Sequence, residues 1–225
     1  MSSSLLPLPE ITDTITDLPI AGAWVYAPTV HGDDRGSFHE GFRAAQFTEH
    51  LGYPFEVAQA NVSRSSRNVV RGIHLAEVPP GQAKFVSCVA GEVHDVLVDL
   101  RKGSPTFGRH VVVPLSEANN WSVHVPIGVG HGFVATSERA TLHYLVSEAY
   151  NPEREFGVDP FDPELGVDWG VAKADATLSQ KDATAPSLAD VHDRLPTWQE
   201  SRGWEKQLRS EWAAALEFAE QDGED

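Results

Sequence analysis

The chain has 225 residues, 41% of them hydrophobic, with one cysteine and a formal net charge of −16 at pH 7. That length fits one large all-β domain with short additions or two small domains, and the apolar share excludes wholesale disorder. The acidic balance argues against a nucleic-acid binder, which needs a basic face to displace counterions from phosphates.

Much of the acidic excess is tail, where Glu217, Glu220, Asp222, Glu224 and Asp225 crowd together and read as a solvated terminus. An anionic ligand would need locally gathered cations, and the middle of the chain offers Arg35, Arg64, Arg67, Arg71 and Lys84. The lone Cys88 lies in the alternating run Phe85 to Val89 and reads as a buried thiol rather than a nucleophile. No stretch approaches the roughly 20 apolar residues that cross a bilayer. The N-terminus lacks a basic region followed by an apolar core, so the expected location is the cytoplasm.

In chain order, residues 1–20 read as an arm or a first edge strand. From Ala23 to about Val146 short β-prone runs alternate with turn residues: Trp24 to Tyr26, Phe85 to Val89, Val93 to Leu100, His110 to Val113, Trp121 to Val125 and Thr141 to Val146. Pro79-Pro80-Gly81, Gly91, Gly103-Ser104-Pro105, Gly108, Gly128 and Gly130 are read as the punctuation between them. Many short strands with regular turn signals predict a sandwich or barrel. One helix is expected from Arg43 to Leu51, ending at Gly52. The segment from Asn151 to Gly170, rich in Pro, Asp and Gly, reads as an ordered loop covering the barrel. A second loop spans Leu178 to Asp182, with a helix start from Ser187. Trp204, Leu208, Trp212, Ala215 and Ala219 share one face at helical spacing, so the stretch from Trp204 to Ala219 is expected to be a helix packed on the body or on a neighbouring subunit. The chain thus divides into a domain over 1–200 and a C-terminal helix with acidic tail over 201–225.

Several side chains could carry chemistry. His74 stands among apolar residues in Arg71-Gly72-Ile73-His74-Leu75, a place where an isolated histidine is more often structural. It is preceded by Gln59, Asn61 and Ser63, which alternate along a predicted strand and so share one face. A polar inner face of a barrel is costly unless it meets a ligand or water. Alternation also puts Lys84 on the side of Val86 and Cys88, either inside the barrel with its charge compensated or snorkelling from the strand's mouth. Tyr144 shares a face with Leu142 and Val146, whereas His143 points the other way. Asp182 reads by default as a capping or surface aspartate. The ten histidines include no His-x-His pair, so a metal has no positive support.

Taken in order, these motifs resemble a known family. They run Asp34-Arg35-Gly36-Ser37-Phe38-His39-Glu40, Gln59-Ala60-Asn61-Val62-Ser63, Val70-Arg71-Gly72-Ile73-His74 and Pro79-Pro80-Gly81-Gln82-Ala83-Lys84. Next come Val98 to Gly108, Gly130-His131-Gly132-Phe133, Tyr150 to Glu155 and Leu178-Ser179-Gln180-Lys181-Asp182. The series is similar to the dTDP-4-dehydrorhamnose 3,5-epimerases over roughly residues 20 to 200. The resemblance implies a mainly β, cupin-type jelly-roll barrel with a few short helices. It also implies a homodimer that acts on a dTDP-4-keto-6-deoxyhexose with no metal or cofactor. His74 would be the base, Asp182 its partner, Tyr144 the acid on the opposite face and Lys84 the oxyanion stabiliser, with His131 nearby. Gln59, Asn61 and Arg71 would face the sugar-diphosphate. Arg35, Phe38 and Glu40 would reach the thymidine from the neighbouring subunit, Tyr150 would stack on the base, and Glu155 and Lys181 match binding positions.

The chain departs from the family pattern at Leu75, where an aromatic residue is frequent, at Gly170, where proline follows the tryptophan, and at His39, a commonly apolar position. Its tail from Trp204 is also longer than the family core requires. Inversion at C3, at C5 or at both is compatible with this set of residues. A nucleotide-sugar 3,4-ketoisomerase and a non-catalytic sugar-binding cupin are the alternative readings.

Overall fold

A computed structural model of the chain describes residues 4–222. The strands in chain order are β1 (Ile15–Asp17), β2 (Trp24–Tyr26), β3 (His31–Asp33), β4 (Gly36–Phe38), β5 (Gln59–Ser66), β6 (Val70–Ala76) and β7 (Lys84–Ala90). They continue with β8 (Glu92–Asp99), β9 (His110–Ser116), β10 (Ser122–Val125), β11 (Val129–Ala135), β12 (Arg139–Val146) and β13 (Glu155–Gly157). One sheet has the order β1-β2-β10-β7-β12-β5, a second has β13-β6-β11-β8-β9, and β3 and β4 form a separate hairpin. From β5 onward the chain passes back and forth between the two sheets, apart from the β8–β9 hairpin within one of them, which gives the expected jelly-roll barrel of the cupin type.

Three apolar clusters follow from this layering. Val86, Cys88, Leu97, Val111, Val123, Phe133 and Leu142 fill the space between the sheets. The outer face of the five-stranded sheet is covered by the segment after Tyr150, which brings Phe156, Leu165, Trp169, Leu188, Val191 and Leu195 onto Ile73, Leu75 and Val98. The outer face of the six-stranded sheet carries α1 (Ala44–Leu51), whose buried Phe47 and Leu51 pack with Trp24, Tyr26 and Phe85. Helix α1 stops at Gly52, whose φ of 78° is a left-handed cap that costs glycine little. The free Cys88 thiol is buried, and burial pushes its pKa up to about 11.

Two expectations about elements need correction. Gly128, with φ 82°, lies between β10 and β11 as expected, but Gly130 does not separate strands, because β11 runs from Val129 to Ala135 through it as the middle strand of its sheet. A Cβ on Gly130 would lie 2.6 Å from Ile73 and 2.7 Å from Leu100, so this glycine makes room for close packing rather than a turn. The segment after Asn151 is also more than a loop: β13 pairs with β6, and α2 (Gln180–Ala183) and α3 (Leu188–Val191) follow it. Ser187 caps α3 with the full reciprocal box to Asp190, as its helix-start pattern predicts.

The C-terminal helix α4 (Trp198–Asp222) begins six residues before the predicted Trp204. Its own Ser201 and Glu205 are buried against the body, Arg202 pairs with Glu205 at 2.7 Å, and Arg209 Nε donates to the Leu51 carbonyl at 2.7 Å. Trp204, Leu208 and Trp212 pack on the cluster around Phe47, but Ala215 and Ala219 are exposed. The helical stripe is continuous in sequence, yet the body that it covers ends at Trp212, and periodicity alone carries no record of where a partner stops. Among the described residues no helix is long and apolar enough to cross a membrane.

Candidate active site

Strand β5 presents the predicted polar row, and each member has a partner. Gln59 Nε2 donates to Asn61 Oδ1 at 2.7 Å, while its Oε1 accepts from the Tyr150 backbone N–H at 3.0 Å. Ser63 Oγ lies 3.1 Å from Tyr144 Oη on neighbouring β12. Ser65 Oγ accepts from Arg71 Nε at 3.1 Å. Asn61 and Ser63 of this row, with Val62, form one wall of a cavity of about 240 Å³ otherwise lined by Arg71, His74, Gln82, Lys84, His131, Phe133, Tyr144, Val146, Tyr150 and Glu155.

His74 is placed by the close approach of β6 to β11. Gly72 has φ 129°, and a Cβ there would sit 2.5 Å from Gly132 Cα and 2.9 Å from the His131 carbonyl oxygen. Only glycine lets the two strands meet at this point, where His74 pairs across the ladder with His131. From the covering segment, Asp182 on α2 reaches His74 Nε2 with Oδ1 at 2.6 Å. Ser179 caps α2, its Oγ accepting from the Asp182 N–H at 3.1 Å and donating to Asp182 Oδ2 at 2.9 Å. Asp182 is 4% exposed, so the default reading of it as a capping or surface aspartate is corrected: it is a buried partner of His74. Burial alone would raise its pKa, but the hydrogen bond and charge of His74, with help from Ser179 and Lys181, outweigh burial and hold it below the usual carboxylate value. An ionised Asp182 accepts from Nε2–H, which leaves the imidazole lone pair on Nδ1.

Lys84 is 8% exposed and lies inside the barrel, not snorkelling from its mouth. Its Nζ donates to the His74 carbonyl oxygen at 3.4 Å. Burial lowers its pKa to about 8, against the opposing charges of Glu155 and Asp95. Tyr144 is half-buried against the barrel core, and desolvation raises its pKa further above the phenol value than Ser63 and Arg71 can offset.

Sequence reasoning missed a second pair. Asp95 on β8 is fully buried and its Oδ2 meets His131 Nε2 at 2.8 Å, with the His131 ring 6.3 Å from that of Tyr144. A signal was present: an aspartate inside the apolar run Val93 to Val98 is too costly to bury without a partner. Gln82 was also passed over. It is buried beside Lys84, and its Nε2 donates to the Glu148 carbonyl at 3.0 Å and to Glu155 Oε1 at 3.3 Å.

The remaining predicted residues lie farther out. Tyr150 is 56% exposed at the cavity's edge, and Lys181 is exposed next to Asp182. Arg35, Phe38 and Glu40 are not brought to this cavity within one chain. Arg35 forks onto Asp33 in the β3–β4 hairpin, Phe38 is 67% exposed, and Glu40 pairs with Arg43 at 3.5 Å. A larger cleft of about 400 Å³ lies between α4 and residues 53–56, but its lining holds no histidine, lysine or arginine. Among the described residues, no three His, Cys, Asp or Glu side chains gather as a metal site.

Comparison with known proteins places this arrangement. The sequence profile of the dTDP-4-dehydrorhamnose 3,5-epimerases matches residues 17–190. A dTDP-4-dehydro-6-deoxyglucose 3-epimerase from a Streptomyces species is 46% identical over 195 residues, which span 86% of this chain and 97% of that protein. A dTDP-4-dehydrorhamnose 3,5-epimerase from Mycolicibacterium smegmatis is 45% identical over 87% of this chain and 97% of its own. Among solved structures, the rmlC epimerase of Mycobacterium tuberculosis superposes with a TM-score of 0.84 at 42% identity, over 86% of this chain and 98% of that one. ChmJ, a 3'-monoepimerase from Streptomyces bikiniensis in complex with dTDP-quinovose, gives 0.82 at 44% identity, over 85% and 98%. With the family profile matched over residues 17–190 and these relatives matched over 85–87% of its length, the chain belongs to the dTDP-4-dehydrorhamnose 3,5-epimerase family.

Proposed function

We propose that this chain inverts a carbon next to the ketone of a dTDP-4-keto-6-deoxyhexose. The observation that carries the reading is the convergence of the His74–Asp182 pair, the buried Lys84 and the half-buried Tyr144 on one cavity. A C–H bond beside a ketone is acidic because its anion delocalises onto the carbonyl oxygen. Nδ1 of His74 takes that proton, and the electron pair moves onto the oxygen as an enolate. The Lys84 ammonium faces the enolate in a water-poor site, where fixed charge is most effective. Tyr144 then gives its phenolic proton to the opposite face of the carbon, and the new C–H bond carries the inverted configuration. Exchange with solvent returns a proton to Tyr144 and removes one from His74.

Asn61 and Arg71 hold the sugar-diphosphate, with Gln59 fixing Asn61 and the Tyr150 backbone. His131, Glu155 and Lys181 complete the surroundings. The nucleotide base stacks on Tyr150 and is met by Arg35, Phe38 and Glu40 of a second copy, in a homodimer. The exposure of Phe38 on a projecting hairpin supports that assignment. The relatives include both 3-epimerases and 3,5-epimerases, and either outcome fits one base and one acid acting on a sugar that can turn over. Incubation with dTDP-4-keto-6-deoxyglucose in deuterated water, followed by NMR, tests the reading. Deuterium at C3 alone identifies a single epimerase and deuterium at C3 and C5 a double one. Absence of exchange at both carbons would overturn the proposal.

A further inference from the structure

Among the polar residues on β5, Ser63 is the one whose hydroxyl meets a group that must change its charge. Ser65 is committed to Arg71, and Gln59 to Asn61 and the Tyr150 backbone. Ser63 Oγ, half-buried in the same wall, lies 3.1 Å from Tyr144 Oη. We infer that Ser63 is a positioning residue for the proton donor, directing the Tyr144 hydroxyl at the sugar and stabilising the phenolate left after transfer. The inference rests on the donor role proposed for Tyr144.

The argument follows from hydrogen-bond direction. A phenol can present its proton to a substrate carbon only if that proton is not given to a neighbour. Its oxygen must then accept, and the Ser63 hydroxyl can donate to it. Once the proton has moved to carbon, the same serine O–H points at the oxygen that has just gained a negative charge. The need is real, because Asp95 is a nearby fixed anion whose charge opposes a phenolate, and burial opposes it more strongly still. Hydrogen bonds to a charged partner are worth more than those to a neutral one, so the bond strengthens as the proton leaves. An interaction stronger after transfer than before it acts on the reprotonation step rather than on binding.

The test uses full-length Ser63→Ala and Ser63→Thr with dTDP-4-keto-6-deoxyglucose in deuterated water. Two rates are read: deuterium entering sugar of unchanged configuration, which reports proton removal, and appearance of the inverted sugar. Ser63→Ala is expected to slow inversion about 10- to 100-fold while KM and proton removal change less than about threefold. Ser63→Thr, which keeps the hydroxyl, restores inversion to within about threefold of wild type. In a Tyr144→Phe background Ser63→Ala adds nothing, because the group that it serves is already gone. Equal loss of both rates in Ser63→Ala, a rise in KM alone, or unchanged inversion would overturn the inference. If Tyr144→Phe itself fails to separate the two rates, the donor reading falls and the serine proposal with it. If Tyr144→Phe separates them and Ser63→Ala does not, only the serine proposal falls.

Discussion

Two histidine–carboxylate pairs stand across one ladder in this barrel, and they are built differently. His74 has a side chain 30% exposed to the cavity, and its carboxylate arrives from a covering helix 108 residues later in the chain. His131 is 6% exposed and its partner Asp95, wholly buried, comes from the adjacent strand of the same sheet. A general base must reach its substrate and exchange its proton with water, so it needs the first arrangement. The second suits a fixed element of the site, where a buried charge shapes the field around Lys84 and Tyr144, both of which feel Asp95. Similar chemistry in the two pairs therefore carries different work, and burial is what separates them.

The sharpest way to break this distinction is to remove each histidine in turn. His74→Asn is expected to lower deuterium exchange by about 10²- to 10⁴-fold, with a smaller change in Tm than His131→Ala; comparable exchange in the variant and wild type would refute His74 as the base. His131→Ala leaves the wholly buried Asp95 carboxyl without this hydrogen-bond partner, which costs about 1–3 kcal/mol of stability. Urea unfolding followed by tryptophan fluorescence measures that cost, and a value within error of wild type would mean that the pair is not structural. The smallest effect is on pH dependence. In the proposed mechanism Lys84 works as the ammonium, and its pKa is lowered to about 8, chiefly by burial, so kcat/KM is expected to fall as pH rises through about 8 instead of near the usual lysine value of 10.5. Asp95 favours the ammonium, so Asp95→Asn should move this alkaline limb to lower pH. A limb that stays in place would remove Asp95 from the electrostatics of the site.

The readable part of the site was the part governed by strand alternation. The shared face of Tyr144 with Leu142 and Val146, of Lys84 with Val86 and Cys88, and of Gln59 with Asn61 and Ser63 follows from a period of two, whereas alternation left open whether Lys84 lies inside the barrel or at its mouth. The barrel was legible for the same reason. The partnership of His74 with Asp182 was not, because nothing local links a histidine on a strand to a carboxylate in a distant capping motif, and only the family resemblance joined them. Asp95 went unnoticed since the run around it reads as plain core. Gly130 misled for a physical reason: the glycine that marks a turn is also the glycine that lets Ile73 and Leu100 press against a central strand. The hairpin holding Arg35 and Phe38 carries too little apolar pattern to announce itself.

The attachment of Asp182 to the covering segment has a consequence for how the enzyme fails. That segment is held on the outer face of the five-stranded sheet by the apolar cluster around Leu165, Trp169 and Leu188, by Trp169 Nε1 donating to the Pro160 carbonyl, and by the Leu188 N–H donating to Asp162. The barrel interior is a separate cluster. Cooperative units of one protein open at different free energies. Any excursion that lifts the cover alone takes the orienting carboxylate away from His74 while the two sheets stay paired. Heat, mild denaturant or a protease that cuts within 159–190 would then silence turnover ahead of melting, making catalytic rate a more sensitive gauge of damage than circular dichroism.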